Sequence, residues 1–449
     1  MSPAANQANP SSRAQFARAA QGARGRRGIA MTATLAAQIS GGVLVALVVA
    51  ATGLWLAAAV RRFAFEQDRR RLSIELLRQR VDAAMAQKAA AHKLAELSWP
   101  GYRKFEIARK AAEADAIASF YLVPHNRTPL PPYKPGQYLT FRFQIPGRAK
   151  PLIRCYSLSD APDGDQYRIT VKRLPPPHEP AGLPPGLASS FLHDAVSHGH
   201  LLDVMAPTGH FFLDEASERP VVLIGGGIGL TPVLAMLNAI ARSGRTRESW
   251  LFYAVHNRRQ EVMGEHLREI AGGNPNIHVR IAHSRPDQDE QAGRDYDYPG
   301  HLTIDVLKRE LPSNNFEFYV CGPPPMMSKM IADLRAWQVP EERIHFEAFG
   351  AATIQQVGAA KDGAQSFEVV FERSGKTLTW RAEAGTILDL AEKNGVAIDY
   401  GCRAGNCGTC VTAVRAGEIT YLGEPGASAE SGTCLTCISI PKTRLVLDA

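Results

Sequence analysis

The chain has 449 residues, a net charge of +7 and seven cysteines, and its length predicts two to four domains. The cysteine spacing forms no disulfide framework, which favours a reducing compartment. Residues 1–110 hold 18 Lys and Arg against six Asp and Glu, and their arginines flank an apolar segment. Because these arginines are not interleaved with aromatic residues, they indicate a membrane surface and argue against a nucleic-acid interface.

The N-terminal segment combines a basic start with an uncharged apolar run. The first residues are rich in Ala, Ser, Asn and Arg without any acid, which predicts a disordered tail over 1–33. Residues 28–60 carry no charge and exceed the ~20 apolar residues that a membrane-spanning helix needs. We therefore predict a transmembrane helix over 34–60.

A cleaved signal peptide is the alternative explanation of this run. Ala57-Ala58-Ala59 resembles a cleavage site, and Arg26-Arg27 resembles a twin-arginine signal. The apolar run is longer than the core of a signal peptide, however, and Arg61-Arg62 ends it. We therefore favour an uncleaved, single-pass anchor.

Residues 61–98 predict a helical stalk. Ile74, Leu77 and Val81 recur at three- and four-residue steps, as apolar residues do on one face of a helix. The pattern covers too few heptads to separate a lone stalk from a short dimeric coiled coil. A dimer through this helix therefore stays an open alternative.

After the stalk the pattern changes to short strands separated by Pro and Gly. Segments 119–123, 137–143 and 167–173 are rich in β-branched and aromatic residues. Such segments predict a small antiparallel β-barrel over residues 99–215.

Four motifs in this region resemble the flavin domain of the ferredoxin–NAD(P)+ reductase superfamily. The central motif is Arg154-Cys155-Tyr156-Ser157-Leu158-Ser159. It is accompanied by Pro135-Gly136-Gln137, Val171-Lys172-Arg173 and Ala206-Pro207-Thr208-Gly209. The resemblance implies a bound flavin, which we expect to be FAD, with FMN as the alternative.

The resemblance also implies roles for individual residues of these motifs. Arg154 would pair with a flavin phosphate, and Tyr156 would stack on the isoalloxazine ring. The hydroxyl of Ser157 would hydrogen-bond flavin N5 and take part in catalysis. Lys172 is a further candidate for cofactor binding.

A Pro-rich insertion over residues 174–186 departs from the pattern of the superfamily. Its relatives usually reach a pyrophosphate-binding Ser through a short Gly-rich turn. Here Ser189 and Ser190 are both candidates for that contact, and the insertion blurs the choice between FAD and FMN.

The next segment predicts an α/β nucleotide-binding domain over residues 216–350. An apolar strand at 220–224 leads directly into a Gly-rich turn and an apolar helix. Bare amides and a helix N-terminus in this arrangement face the pyrophosphate of a dinucleotide. The candidate contacts are Gly226, Gly227, Gly229, Thr231 and Pro232.

The motif Cys321-Gly322-Pro323 follows a second apolar strand, and open α/β sheets bind ligands at such strand ends. It resembles the nicotinamide-side loop of the same superfamily, which implies that Cys321 is catalytic and that Gly322 and Pro323 contact the cofactor. Taken alone, Cys321 would more often be a buried core thiol. Arg258 and Arg259 are candidates for a 2′-phosphate contact but equally for solvated side chains, so NADH and NADPH stay open.

The end of this domain carries two more candidates. The resemblance places Glu347, as a catalytic residue, and Phe349 near the junction of flavin and nicotinamide, although an ordinary strand end fits both equally well. Residues 351–365 are small, polar and rich in Gly and Ala, and they predict a linker.

The last segment, residues 366–449, contains the spacing C-x4-C-x2-C at Cys402, Cys407 and Cys410. Three thiolates at this spacing with a distant fourth are the plant-type [2Fe–2S] pattern. A zinc site is the alternative, because Cys434 and Cys437 form a C-x2-C pair. The segment resembles a plant-type ferredoxin domain with an α+β, β-grasp-like fold.

For the fourth ligand the resemblance favours Cys437 over Cys434. In plant-type ferredoxins the last ligand follows Leu-Thr at the start of an apolar strand, as Cys437 does here. We expect Cys434 in a loop, and a short helix over residues 386–400 before the cluster loop.

The module order flavin, nicotinamide, iron–sulfur resembles the phthalate dioxygenase reductase and vanillate demethylase reductase type, whose members generally lack a transmembrane helix. The resemblance implies a membrane-anchored NAD(P)H-dependent oxidoreductase. It would pass single electrons to a partner protein such as an oxygenase, desaturase or P450. A membrane-tethered redox sensor and a direct quinone or ferric reductase are the alternatives. Because the nicotinamide pool is cytoplasmic, we expect the soluble domains on the cytoplasmic side of the membrane.

Overall fold

The computed structural model describes residues 11–176, 184–347, 349, 366–423, 425–427 and 429–449, with side chains from residue 39 onward apart from a few helix positions. The predicted linker over 351–365 lies outside the described residues. The chain divides into two units, Met1–Ala89 and Ala90–Ala449.

A single long helix, α1 (Ser11–Leu97), contains both the predicted span and the predicted stalk. The helix already begins at Ser11, whereas we expected a disordered tail over 1–33. The alanines and arginines of this stretch are good helix formers, and Pro10 lies just before it. Within Ile39–Asp82 an 18-residue window has a mean hydropathy of 2.5, and by length and composition the helix could cross a membrane, a test that signal sequences also pass.

The second unit opens with a six-stranded antiparallel sheet in the order β4-β3-β6-β1-β2-β5. The two edge strands meet through a bridge between Leu158 and Ile169, which closes the sheet into the predicted barrel. Phe105, Phe120 and Phe141 fill its core with no exposed surface. Its elements are β1 (Arg103–Ala114), β2 (Ile117–Pro124), β3 (Tyr138–Phe143), β4 (Leu152–Ser157), β5 (Tyr167–Lys172), helix α2 (Leu187–Asp194) and β6 (Leu201–Val204).

A six-stranded parallel sheet follows in the order β10-β9-β8-β7-β11-β12, with helices on both faces. The strand order reverses at β7, so the loops after β7 and β11 open a crevice where such sheets bind ligands. The elements are β7 (Val221–Gly226), α3 (Leu230–Ser243), β8 (Ser249–Val255), α4 (Gly264–Gly273), β9 (Ile277–His283), β10 (Tyr298–Pro299), α5 (Ile304–Glu310), β11 (Glu317–Cys321), α6 (Pro324–Ala336) and β12 (Ile344–Glu347).

The C-terminal part forms a five-stranded mixed sheet, β14-β13-β19-β15-β17, beside the two-stranded sheet β16-β18. Its elements are β13 (Ser366–Phe371), β14 (Lys376–Arg381), α7 (Ile387–Lys393), β15 (Val411–Ala416), β16 (Ile419–Tyr421), β17 (Thr433–Leu435), β18 (Ser439–Pro441) and β19 (Leu445–Leu447). A capping box between Thr386 and Asp389 starts α7. The helix is shorter than the predicted 386–400, because Gly395 takes a left-handed φ of +67° and ends it.

Candidate redox site

A cavity of about 1030 Å³ is lined by the barrel, the parallel sheet and the cysteine loop. Its size is at the upper end of the usual range for cofactor sites. Residues from all three predicted sites line it. They are Arg154, Tyr156, Ser157, Lys172, Ser189, Gly226, Gly227, Gly229, Thr231, Gly322, Pro323, Phe349 and Cys402.

The C-terminal half of β4 forms part of the barrel wall of this cavity, together with the end of β5. The ring of Tyr156 is held edge-on against Phe141 and Phe143, with centroids 5.7 Å and 6.3 Å away. The guanidinium of Arg154 also lines the cavity, but its Nη1 donates a hydrogen bond of 3.0 Å to the carbonyl of Gly401. Arg154 therefore contacts the cysteine loop in addition to facing the predicted flavin site.

The three predicted catalytic residues lie close to one another. Ser157 Oγ donates to Glu347 Oε2 at 3.4 Å, and Glu347 lies beside Cys321 on neighbouring parallel strands. Burial raises the pKa of Glu347 to about 8, so this carboxyl keeps its proton at neutral pH. Burial also holds the pKa of Cys321 well above its usual value.

Cys321 and Glu347 do not themselves line the cavity. Cys321 has no exposed surface and belongs to the core of the parallel sheet. Its neighbour Gly322 reaches the cavity in its place. Cys321 is therefore packed as a buried core thiol, which was the alternative to a catalytic role. Glu347 reaches the cavity only through its hydrogen bond with Ser157.

The Gly-rich turn after β7 is shaped by close approach to the loop after β11. A Cβ atom at Gly229 would lie 2.5 Å from the carbonyl oxygen of Cys321, so any side chain there would push the two loops apart. Gly227 takes a left-handed φ of +52°. The turn leads into α3, whose N-terminal Thr231 lines the cavity, whereas Pro232 is buried in the helix and does not line it.

Ser189 and Ser190 are separated by the structure. Ser189 lines the cavity, and its hydroxyl joins the ends of the Pro-rich insertion by donating to Gly186 O (3.0 Å) and accepting from Leu174 N (3.1 Å). The hydroxyl of Ser190 is buried without a hydrogen-bond partner in the described part of the chain and lies off the cavity wall. Residues 177–183 of the insertion lie outside the described residues.

The four predicted cluster ligands approach one another around the loop. The sulfurs of Cys402, Cys407 and Cys437 each lie against a backbone amide of the loop, and Cys410 packs in one buried cluster with Cys437. The backbone amides of Ala404, Gly405 and Asn406 and that of Cys402 point at these sulfurs, at 3.2–3.4 Å. Amide donors to cysteine sulfur are what an iron–sulfur cluster requires, so this donor set fits the group.

Cys434 and Cys437 differ from their expected positions. Cys434 was expected in a loop but lies in β17, paired across the sheet with Thr412 and fully buried in the hydrophobic core. Burial raises its pKa to about 12. Cys437 was expected to open a strand but lies in the turn between β17 and β18, where its Sγ accepts a hydrogen bond from Gly405 N. This geometry supports Cys437 as the fourth ligand.

Within the described residues, no three His, Cys, Asp or Glu side chains are positioned to hold one metal ion together. This finding applies equally to a zinc ion and to a cluster. The amide donors to the cysteine sulfurs are the observation that favours the iron–sulfur group.

Two family models match the chain. The model of the oxidoreductase NAD-binding domain matches residues 223–332, and that of the 2Fe-2S iron-sulfur cluster binding domain matches residues 370–442. A flavohemoprotein from Halalkalibacterium halodurans is 39% identical over 57% of this chain and 61% of its own length. The chain thus spans about three fifths of such curated relatives.

Solved structures show the same relationship. The flavohem-like FAD/NAD-binding domain of nitric oxide dioxygenase from Vibrio cholerae is 32% identical, with a TM-score of 0.50, over 56% of this chain and 100% of that domain. The chain belongs to the ferredoxin reductase-like flavoproteins. Phthalate dioxygenase reductase is 27% identical to this reductase, with a TM-score of 0.48, over 78% of this chain and 98% of its own. The predicted cofactors, FAD, a nicotinamide dinucleotide and a [2Fe–2S] cluster, are confirmed at the level of the family.

The arginines considered for a 2′-phosphate are already paired in this reductase. Arg259 makes a two-pronged ion pair with Asp287, at 2.9 Å and 3.0 Å. Arg258 lies 3.5 Å from Asp295, and neither arginine lines the cavity. The position of Arg258 and Arg259 after β8 therefore does not identify a binding site for the 2′-phosphate of NADPH.

Sequence reasoning missed the contacts between the barrel and the cysteine loop. Tyr138 donates a 3.0 Å hydrogen bond to the carbonyl of Asn406, and Cys155 lines the cavity together with Cys402. The sequence did contain one signal for the position of Cys155. It lies between two predicted cofactor residues of one strand, and side chains alternate along a strand, so its side chain is expected on the face opposite to theirs.

Proposed function

We propose that this reductase takes a hydride from NAD(P)H onto FAD and passes the electrons one at a time through the [2Fe–2S] cluster to a partner protein. A flavin exchanges either one or two electrons and so connects the two chemistries. The observation that carries the proposal is the common cavity. Ser157 of the barrel, Gly322 of the parallel sheet and Cys402 of the cysteine loop all line it.

In this proposal the residues of the barrel wall bind and orient the flavin. The ring of Tyr156 is clamped against Phe141 and Phe143, which gives the flavin a fixed aromatic surface. Arg154 supplies a permanent positive charge for a phosphate. Lys172, whose Nζ donates to Gln260 at 3.2 Å, offers a second positive charge at the cavity wall.

The Ser157–Glu347 pair holds the proton that hydride chemistry leaves behind. A hydride carries one proton and two electrons, so the proton remains when the electrons depart singly. The hydroxyl of Ser157 faces the cavity and donates to Glu347, whose raised pKa of about 8 suits proton exchange near neutral pH. The Gly-rich turn and Gly322 place the dinucleotide beside this pair.

Membrane anchoring through α1 is part of the proposal. The segment Ile39–Asp82 supports it by its length and composition, and its apolar side chains such as Leu54 and Trp55 are exposed. The charged remainder of the chain would lie on the cytoplasmic side, where NAD(P)H is available. The partner would be a membrane-associated oxygenase, desaturase or P450, and the stalk offers a surface for a dimer.

Steady-state oxidation of NADH and NADPH by the full-length protein tests the proposed function. We expect fast turnover with cytochrome c, and loss of that turnover in Cys437→Ser while reduction of the flavin continues. Negligible turnover of the wild type would favour a redox sensor instead. Undiminished reduction of quinone or ferric iron by Cys437→Ser would favour direct transfer from the flavin.

A further inference from the structure

Cys155 occupies an unusual place between the flavin-binding strand and the cysteine loop. It lies on β4 between Arg154 and Tyr156, and it lines the cavity together with Cys402. Its two neighbours in the flavin motif, Arg154 and Tyr156, are the predicted cofactor contacts, whereas the motif implies no role for Cys155.

The thiol of Cys155 has two polar neighbours. Strands β3 and β4 pair Thr140 directly with Cys155, and Thr140 Oγ1 lies 3.3 Å from Cys155 Sγ. The second neighbour is Cys402, the first proposed cluster ligand, which lines the same cavity. The adjacent residues fix this approach, because Arg154 Nη1 lies 3.0 Å from the carbonyl of Gly401. Thr140 is buried with 1% exposure, so its hydroxyl needs this partner.

The chemistry of a cluster ligand sets the direction of these hydrogen bonds. A cysteine bound to iron is a thiolate, which can only accept hydrogen bonds. Cys155 must therefore be the donor to Cys402, which leaves its sulfur free to accept from the hydroxyl of Thr140. The three residues form a donor chain from Thr140 through Cys155 to Cys402.

We propose that Cys155 tunes the reduction potential of the cluster by donating a hydrogen bond from the flavin domain to the Sγ of Cys402. The inference rests on the proposed function, because it requires a cluster at the four cysteines. Hydrogen bonds to cluster sulfur raise the potential, since they stabilise the more negatively charged reduced form. The amides that donate to the sulfur of Cys402 belong to the cysteine loop itself, whereas Cys155 belongs to β4 of the flavin domain.

The same contact holds the loop against the barrel. Arg154 Nη1 donates to the carbonyl of Gly401, one residue before Cys402, at 3.0 Å. A Cβ atom at Gly401 would lie 3.1 Å from the side chain of Ile153. Ile153 and Arg154 of β4 thus lie against the residue that precedes Cys402, so the potential depends on the docked arrangement.

The test is a potentiometric titration of the full-length protein, with mediators and dithionite, followed by electron paramagnetic resonance of the reduced cluster. Cys155→Ala should lower the midpoint potential, shifting the one-electron equilibrium severalfold, where tenfold corresponds to about 59 mV. Cys155→Ser keeps a donor and should restore the wild-type midpoint or exceed it. Both variants should retain wild-type iron and sulfide content.

Cys434→Ala is the control, because Cys434 is a buried cysteine in the hydrophobic core of the domain that holds the proposed cluster. It should leave the midpoint unchanged. A wild-type midpoint in Cys155→Ala would overturn the inference, and so would loss of the cluster, which would make Cys155 a ligand. If Cys155→Ala does not fold, Thr140→Val takes its place. It should lower the midpoint in the same direction by a smaller amount, and an unchanged midpoint there would overturn the inference.

The two proposals fail in distinguishable ways. The titration uses dithionite without NAD(P)H, so a reductase that accepts no hydride still reports its midpoint. An unshifted midpoint with normal NAD(P)H turnover contradicts the role of Cys155 alone. A wild-type protein without any [2Fe–2S] signal contradicts both.

Discussion

Replacing Glu347 with Gln should change how the stability of the reductase depends on pH. Burial raises the pKa of Glu347 from 4.5 to about 8. In the unfolded chain this carboxyl loses its proton near pH 4.5, whereas in the folded protein it keeps its proton up to about pH 8. The folded state therefore loses stability as the pH rises from about 4.5 to about 8, and the full penalty persists above that.

The magnitude follows from the gap between the two pKa values. A gap from 4.5 to about 8 corresponds to roughly 5 kcal/mol of unfolding free energy as an upper limit. Part of Glu347 remains exposed, so water reduces the penalty below this limit. We expect roughly 1–4 kcal/mol, which corresponds to several degrees in Tm. Gln has a similar shape and cannot ionise, so Glu347→Gln should escape the penalty.

Thermal unfolding of flavin-loaded wild type and Glu347→Gln at pH 5 to 9 is the assay. The two melting temperatures should be close at pH 5 and diverge in favour of Glu347→Gln toward pH 9. Glu372→Gln, at an exposed turn in the ferredoxin domain, is the control and should follow the wild type. Parallel pH profiles for wild type and Glu347→Gln would refute the reasoning.

Three further predictions concern the cofactors and the membrane. Cys437→Ser should abolish or severely perturb the [2Fe–2S] resonance while Cys434→Ser keeps it, and the opposite result would exchange the two assignments. Arg154→Ala removes a charge-assisted bond of roughly 1.5–3 kcal/mol, so flavin affinity should fall about 10- to 100-fold in a fluorescence titration, and unchanged affinity would contradict the phosphate contact. Deleting residues 1–62 should move the protein from the membrane fraction to the soluble fraction with NAD(P)H oxidation intact, and a full-length protein in the soluble fraction would contradict the anchor.

Local patterns in the sequence determined the order and class of the domains. The uncharged run of residues 28–60 predicts an apolar helix by its length alone. Strand, Gly-rich turn and helix follow one another directly around Gly225–Pro232 in the chain, so periodicity and glycine spacing suffice to predict them. The spacing of Cys402, Cys407 and Cys410 likewise depends on one short loop. Such features need few contacts with distant residues.

Only the tertiary structure decided which side chains meet. The sequence motif already favoured Cys437 over Cys434, but only the fold gives the physical reason: the pairing of β17 with β15 buries Cys434 in the core and leaves Cys437 in the turn near Gly405. The hydrogen bond between Ser157 and Glu347 and the shared cavity wall of Cys155 and Cys402 likewise bring together segments that are far apart in the chain. These distances are set by the packing of whole domains, and the periodicity of a single segment carries no information about them.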